Sequence, residues 1–317
     1  MRILPWVAVI AAACHPAPER GREMQREGTV QSEGADLYYR TTGSGPDTIV
    51  FVHGGPGMDS AYLVPDFAPL AARHTLVFYD QRGGGRSALR GDDPALFTMA
   101  RHVADLEALR VQLGLARLTL IAHSFGPAIA ASYAIAHPDR VARMIFIGPV
   151  SPRGAGLWAR YGGAVEARLT ADQRAELARL EKDLLEGPDP TAACRAYWKI
   201  GLVPRVAHPE LAARITGDFC SAPPAAIRHG YGVAAPRLVE SLGDWDFTPG
   251  LAKVTAPTLI LHGDADTIPM DMVEEWTRAL PHARLVKLPD TGHFPYVERP
   301  ELTWPEIDAF LAKTPAT

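Results

Sequence analysis

A serine set between small residues, Ala122-His123-Ser124-Phe125-Gly126, closes the apolar run Leu118–Ile121 and opens a second apolar stretch. A buried strand leading through a sharp turn into a helix would lift the Ser124 hydroxyl out of the sheet. It would also place the next backbone N–H, that of Phe125, at a helix N-terminus, where negative charge is favoured. A serine can also sit at such a position as a plain helix cap, but here the strand before it and the helix after it favour the nucleophile. A serine hydroxyl attacks at neutral pH only when a base takes its proton and a third group orients that base.

Two later loops carry the needed types. His262-Gly263-Asp264-Ala265-Asp266-Thr267 follows the run Thr258–Leu261, and Pro289-Asp290-Thr291-Gly292-His293 follows Arg284–Leu288. With the order nucleophile, acid, histidine, the base is His293. Spacing admits Asp264 and Asp266 as the acid, and Asp290 is a third option within the histidine's own loop. His53, His123 and His262 also end or follow strands, but none comes after an acid in the required order. Upstream, His53-Gly54-Gly55-Pro56-Gly57 follows the run Thr48–Val52. Glycines there allow close backbone approach to an oxyanion, so the N–H groups of Gly55 and Phe125 are the expected donors. His53, Gly54, Gly57 and Gly126 are expected to support them.

The elements that must position these loops are legible as short β-branched runs: Thr48–Val52, Thr75–Tyr79, Leu118–Ile121, Met144–Ile147, Thr258–Leu261 and Arg284–Leu288. Uninterrupted runs of this kind suit strands covered on both faces of a parallel sheet. Helical stretches alternate with them at Met99–Leu113, Ser124–His137, Met270–Leu280 and Pro300–Leu311, and a hairpin is expected over 28–42, turning at Ser32-Glu33-Gly34-Ala35. The pattern is a doubly wound α/β sheet. From Ser151 to Trp245 no buried strand is evident. Helical segments at Ala171–Leu185, Thr191–Ile200 and Pro209–Asp218 alternate with Pro-rich breaks, which reads as a helical cap inserted between two strands, a lid over the site. The expected division is a leader and linker over 1–27, a core of 28–150 with 246–317, and a cap over 151–245.

The motifs together resemble the prolyl aminopeptidase (proline iminopeptidase) branch of the α/β-hydrolases. That branch carries the HGGPG of His53–Gly57 together with a DQRGxGRS segment, here Asp80-Gln-Arg-Gly-Gly-Gly-Arg-Ser87. The resemblance covers Asp47–Val150 and Ala256–Leu311. It implies that the acid lies three residues after Gly263, at Asp266, and that Gly292-His293 holds the base. It also implies acyl transfer from a peptide or other small substrate, with no cofactor or metal. Peptidases of this branch usually have Trp or Tyr where this chain has Phe125, and they hold the substrate's ammonium with cap carboxylates. Glu166, Glu176, Glu181, Glu186, Glu210 and Glu240 lie in the insertion, read mainly as solvated charges, and none stands out as that partner. Trp158, Tyr161, Tyr197, Trp198, Tyr231 and Trp245 read mainly as packing residues, with a pocket lining as the alternative. An aminopeptidase is the leading expectation. A small-ester carboxylesterase follows, and a non-catalytic binding protein on the same fold is remote because all three triad types are present. An Asp nucleophile, as in epoxide or haloalkane chemistry, is excluded by Ser124.

Of 317 residues, 47% are hydrophobic and 21% charged, and the formal net charge is −4, with no clustered Lys/Arg stripe to bind nucleic acid. The N-terminus differs. Met1-Arg2, an apolar run to Ala13 and then Cys14 form an export signal in which Ala11-Ala12-Ala13-Cys14 resembles a bacterial lipobox. On this reading the protein is exported and attached to a membrane through lipidated Cys14, in the periplasm or at the outer surface. A cytoplasmic protein with an unstructured extension is the alternative. Cys194 and Cys220 would then form one disulfide or remain two buried thiols.

Overall fold

A computed structural model describes residues 25–313. The chain opens with the hairpin β1 (Arg26–Ser32) and β2 (Ala35–Thr42), turning at Gly34 with φ +74°. There follow β3 (Thr48–Val52), β4 (Thr75–Tyr79), the short β5 (Ala88–Leu89), β6 (Leu118–His123), β7 (Val141–Ile147), β8 (Thr258–Gly263) and β9 (Ala283–Leu288). They form one sheet in the order β1-β2-β4-β3-β6-β7-β8-β9, with β5 paired to β2. From β4 to β9 all neighbours are parallel, whereas β2 meets β1, β4 and β5 antiparallel. Each apolar run of the sequence lies in a strand, most of them a residue or more longer than the run itself.

Alternate residues of each strand feed two cores. Val50, Val52, Leu120 and Ala122 pack on one face, under the helices Met99–Gln112 and Gly126–Ala136. Ile49, Phe51, Ile121 and Ile145 pack on the other. This is the period of two expected of strands buried on both sides.

The winding reverses between β3 and β6, since the chain steps from β3 outward to β4 and then returns to β6. Val52 pairs with Ala122 in register, so the loops leaving these two strands start side by side. A crevice beyond the carboxyl ends at such a switch point is where ligands bind in open α/β sheets.

Between β7 and β8 the chain leaves the sheet through a narrow neck. Gly154 N–H donates to Trp245 O at 2.8 Å and Phe247 N–H to Pro152 O at 3.0 Å. Beyond the neck lie the helices Leu157–Ala167, Ala171–Glu186 and Pro190–Gly201, then a helical stretch from Pro224 to Leu242 that passes through a wider π turn at Gly230–Ala234. The expected helix at Pro209–Asp218 is only a short 3₁₀ turn over Pro209–Arg214. A Cβ on Gly217 would stand 2.0 Å from Tyr62 O, so the backbone there lies flat against the core instead of coiling. Cys194 and Cys220 are joined in a disulfide, which decides between the two alternatives left by the sequence.

Candidate active site

The turn after β6 is strained at the serine itself. Ser124 has φ +60°, a conformation rare outside glycine, and its N–H and C=O are pinned to Ile147 O and Val150 N at 2.9 Å each. The helix therefore begins at Gly126, two residues later than the apolar pattern suggests. Gly126 allows the turn because a Cβ there would lie 2.1 Å from Val52 O. Phe125 is fully buried, leaving its N–H at the helix start with no acceptor among the described residues.

His293 and Asp266 meet behind this turn. His293 Nδ1 lies 2.9 Å from Asp266 Oδ2, and Ile268 N–H donates to Asp266 Oδ1 at 2.9 Å. A carboxylate accepts, so Nδ1 carries the proton and the Nε2 lone pair is left for the cavity. Burial alone would raise the Asp266 carboxyl, but the imidazoles of His293 and His262 and these hydrogen bonds hold it down to about 2. The other two acids are elsewhere: Asp264 is exposed, and Asp290 faces the exposed His208 at 2.7 Å. Ser124 Oγ has no hydrogen bond among the described residues, yet it lines the same cavity as His293. Such contacts often tighten only when substrate is bound.

The glycine loop after β3 forms the facing wall. Gly54 N–H donates to Tyr62 Oη at 2.7 Å, and Gly54 itself is required because a Cβ would stand 2.7 Å from Ser124 Cβ. Gly55 N–H has no acceptor among the described residues, so with Phe125 N–H it is available to an oxyanion. Gly57 lies against Gly230 of the insertion, 2.1 Å from its carbonyl oxygen to an added Cβ.

Two further histidines, His53 and His123, act as braces. Gln81 N–H donates to His53 Nε2 at 3.0 Å, so His53 Nδ1–H donates to Gly54 O at 2.7 Å. Gln81 Nε2 donates to His53 O at 2.6 Å. The rest of the DQRGGGRS segment anchors this brace. Asp80 accepts from Ser60 N, Ser60 Oγ and Arg86 N, and Arg82 makes a buried two-pronged ion pair with Asp105. His123 Nε2 donates to His293 O at 3.1 Å, and its Nδ1 accepts from Tyr62 Oη at 2.7 Å. Burial, and next the neighbouring His293, push His123 down to about 3, so it stays neutral. A chain Gly54–Tyr62–His123–His293 thus ties the glycine loop to the histidine loop. Tyr62 carried no sequence signal.

The cavity holds about 510 Å³, within the range of small-molecule sites. Its roof comes from the insertion. Trp158, Tyr161, Tyr197, Trp198 and Tyr231 all line it, which corrects their reading as packing residues; only Trp245 packs away from it, against Phe247 and the neck. Of the six glutamates considered, Glu181 alone reaches the cavity. Arg205, which no pattern singled out in an Arg-rich insertion, lines it beside His293.

A third residue missed in the sequence is Glu298. Its carboxylate accepts N–H bonds from Ala207 and Gly292 at 2.8 Å each and from Phe294 at 2.9 Å. These residues flank His293 on both sides and reach into the insertion.

A family described as the alpha/beta hydrolase fold matches residues 47–300. The chain is 26% identical over 291 residues to a proline iminopeptidase of Heyndrickxia coagulans, covering 91% of this chain and 99% of that one. Among solved structures it is similar to the proline iminopeptidase of Mycobacterium smegmatis, with TM-score 0.64, 25% identity and 90% and 97% of the two chains covered. It is equally similar to a thermophilic esterase from Thermogutta terrifontis, with TM-score 0.64, 25% identity and 92% and 100% covered.

Proposed function

The chain belongs to the α/β-hydrolase fold family, and from that premise we propose a serine hydrolase with Ser124 as nucleophile, His293 as base and Asp266 as orienting acid. The observation that carries this is the His293 Nδ1–Asp266 Oδ2 hydrogen bond at 2.9 Å behind a left-handed serine in one cavity. Ser124 Oγ attacks a carbonyl carbon while His293 Nε2 takes its proton. The new oxyanion accepts from Gly55 and Phe125 N–H, a pair of donors each worth roughly 3–4 kcal/mol in the transition state. Collapse expels the leaving group, which receives the proton from His293, and leaves an acyl ester on Ser124. Water, deprotonated by the same imidazole, then releases the acid.

The finer reading is an aminopeptidase of the prolyl type acting on short peptides. It is supported by the near full-length similarity to proline iminopeptidases. It is also supported by Glu181 at the cavity, where a carboxylate can pair with an α-ammonium group. A carboxylesterase of small esters is the second reading, favoured by the aromatic roof and the esterase neighbour. Incubation with a fluorophosphonate, proline anilide and p-nitrophenyl esters tests them. Absence of Ser124 labelling sinks both enzymatic readings and leaves a binding protein; ester turnover without anilide turnover sinks the first.

An exported lipoprotein is the reading for location. Cys14 lies outside the described residues, but the Cys194–Cys220 disulfide suits an oxidising compartment. Loss of lipid labelling in Cys14→Ala is expected, and unchanged membrane fractionation would count against it.

A further inference from the structure

Acyl transfer uses Ser124, His293, Asp266 and two backbone N–H groups, and leaves one cation of the cavity unexplained. Arg205 follows the helix Pro190–Gly201, and its carbonyl oxygen accepts the N–H of His293 at 2.8 Å. The root of the side chain is therefore fixed relative to the base. Its Nε donates to Tyr161 Oη at 2.8 Å and one Nη to Gly201 O. The guanidinium carbon lies 5.4 Å from the Trp198 ring centre and 5.7 Å from that of Tyr161.

What it lacks is a counter-ion. No carboxylate among the described residues is within 4.0 Å of Arg205, whereas exposed arginines such as Arg73, Arg160 and Arg195 each have one. The carboxylate whose field it feels, Asp266, is already engaged by His293 and Ile268. Nη2 donates to nothing among the described residues, although a guanidinium offers five N–H donors. A half-buried cation set beside two rings at the cavity wall, with donors unspent, is placed to pair with an anion that enters the cavity.

Resting on the hydrolase reading of this cavity, we infer that Arg205 binds a carboxylate carried by the substrate, close to the scissile bond. Guanidinium and carboxylate match as planar partners. The carboxylate has two possible sources: the free C-terminus of a short peptide, or the spare acid of a dicarboxylic half-ester. Glu181 on the same cavity adds an opposite charge for a zwitterionic peptide.

The test is a ratio. Wild-type kcat/KM is measured for prolyl-glycine against prolyl-glycinamide, and for 4-nitrophenyl hemisuccinate against its methyl ester. The acid is expected to exceed its neutral twin by about tenfold or more in the pair that reflects the true source. Arg205→Met should bring that ratio close to one, and Arg205→Lys should restore part of it. Equal rates for both twins in the wild type overturn the inference, as does a ratio that survives Arg205→Met even if both rates fall. In the wild-type protein, N-acetylglycine should also protect Ser124 from a fluorophosphonate at concentrations about tenfold below N-acetylglycinamide. Labelling with equal protection overturns the role of Arg205 and spares the hydrolase reading; no labelling overturns both.

Discussion

The backbone N–H of His293 donates to the carbonyl oxygen of Arg205 at 2.8 Å, so His293 hangs from the inserted roof as well as from the sheet. Gly292 lies tight against the same segment, where a Cβ would stand 2.5 Å from Arg205 O.

Glu298 holds the other side of this joint. One oxygen accepts from Ala207 and Gly292 and the other from Phe294. Glu298→Gln must turn an NH₂ group toward at least one of these N–H donors, whichever way the amide lies. Stability should fall by about 1–3 kcal/mol. Turnover should fall more than ester binding, because the loop that moves carries His293. Urea unfolding with kcat and KM for a p-nitrophenyl ester checks both; kcat equal to wild type would remove Glu298 from the positioning of the base.

Asp266→Asn separates the two carboxylates that spacing could not. Its Oδ1 would stay with Ile268 N–H, presenting NH₂ to His293 Nδ1 and forcing the proton onto Nε2. The imidazole would then have no lone pair for Ser124, and kcat should drop roughly a thousandfold to ten-thousandfold. Asp264→Asn, on an exposed side chain, should change it less than about twofold. Equal losses in the two variants would overturn the assignment.

Much of this was legible from residue order alone. Strands buried on both faces read as apolar runs, and the elbow, glycine loop and histidine loop each follow such a run. The roof was legible only in part: helices expected at Ala171–Leu185 and Thr191–Ile200 lie at Ala171–Glu186 and Pro190–Gly201, but the signals of its later half conflict. Pro236 removes an N–H that a helix needs, so Pro224–Leu242 reads as broken, yet a π turn at Gly230–Ala234 carries the helix up to it. Pro209–Asp218 has helical composition, but contact of Gly217 with Tyr62 flattens it. Tyr62, Arg205 and Glu298 work through partners distant in sequence: Tyr62 reaches His123, Arg205 reaches His293, and Glu298 reaches Ala207. Periodicity carries no trace of such pairs.

Asp59 gives a pH dependence with a definite sign. Burial, and next the charge of Asp80, push it from its ordinary 3.8 up to about 6, despite bonds from Ala61 N–H and Ser221 Oγ. The folded protein therefore binds this proton before the unfolded chain does. Its penalty is complete above pH 6, shrinks as pH falls through the window, and is gone below 3.8. Asp59→Asn keeps the Ala61 bond and removes the charge. It should stabilise the protein at pH 8 by something on the order of 2–3 kcal/mol, with the gain vanishing near pH 4. Denaturant midpoints of the two proteins across that range test it, and a gain that grows toward acid would refute the sign.

The Cys194–Cys220 bond spans 26 residues and sits next to Phe219, whose ring stacks on Tyr62 at 4.7 Å and Trp198 at 4.6 Å. That stack is cavity wall, joining the sheet side to the roof. Closing a loop of this length limits the unfolded chain by about 3–4 kcal/mol in the entropic account. The double substitution Cys194→Ala with Cys220→Ala should therefore lower the urea midpoint. It should also raise KM by more than it lowers kcat, since Phe219 is part of the cavity wall. Both cysteines are buried, at 0% and 2% exposure, so a mild reductant should leave the folded enzyme intact and act only once urea opens the roof. An unchanged midpoint in the double variant would show that packing of Phe219, rather than the covalent link, holds this wall in place.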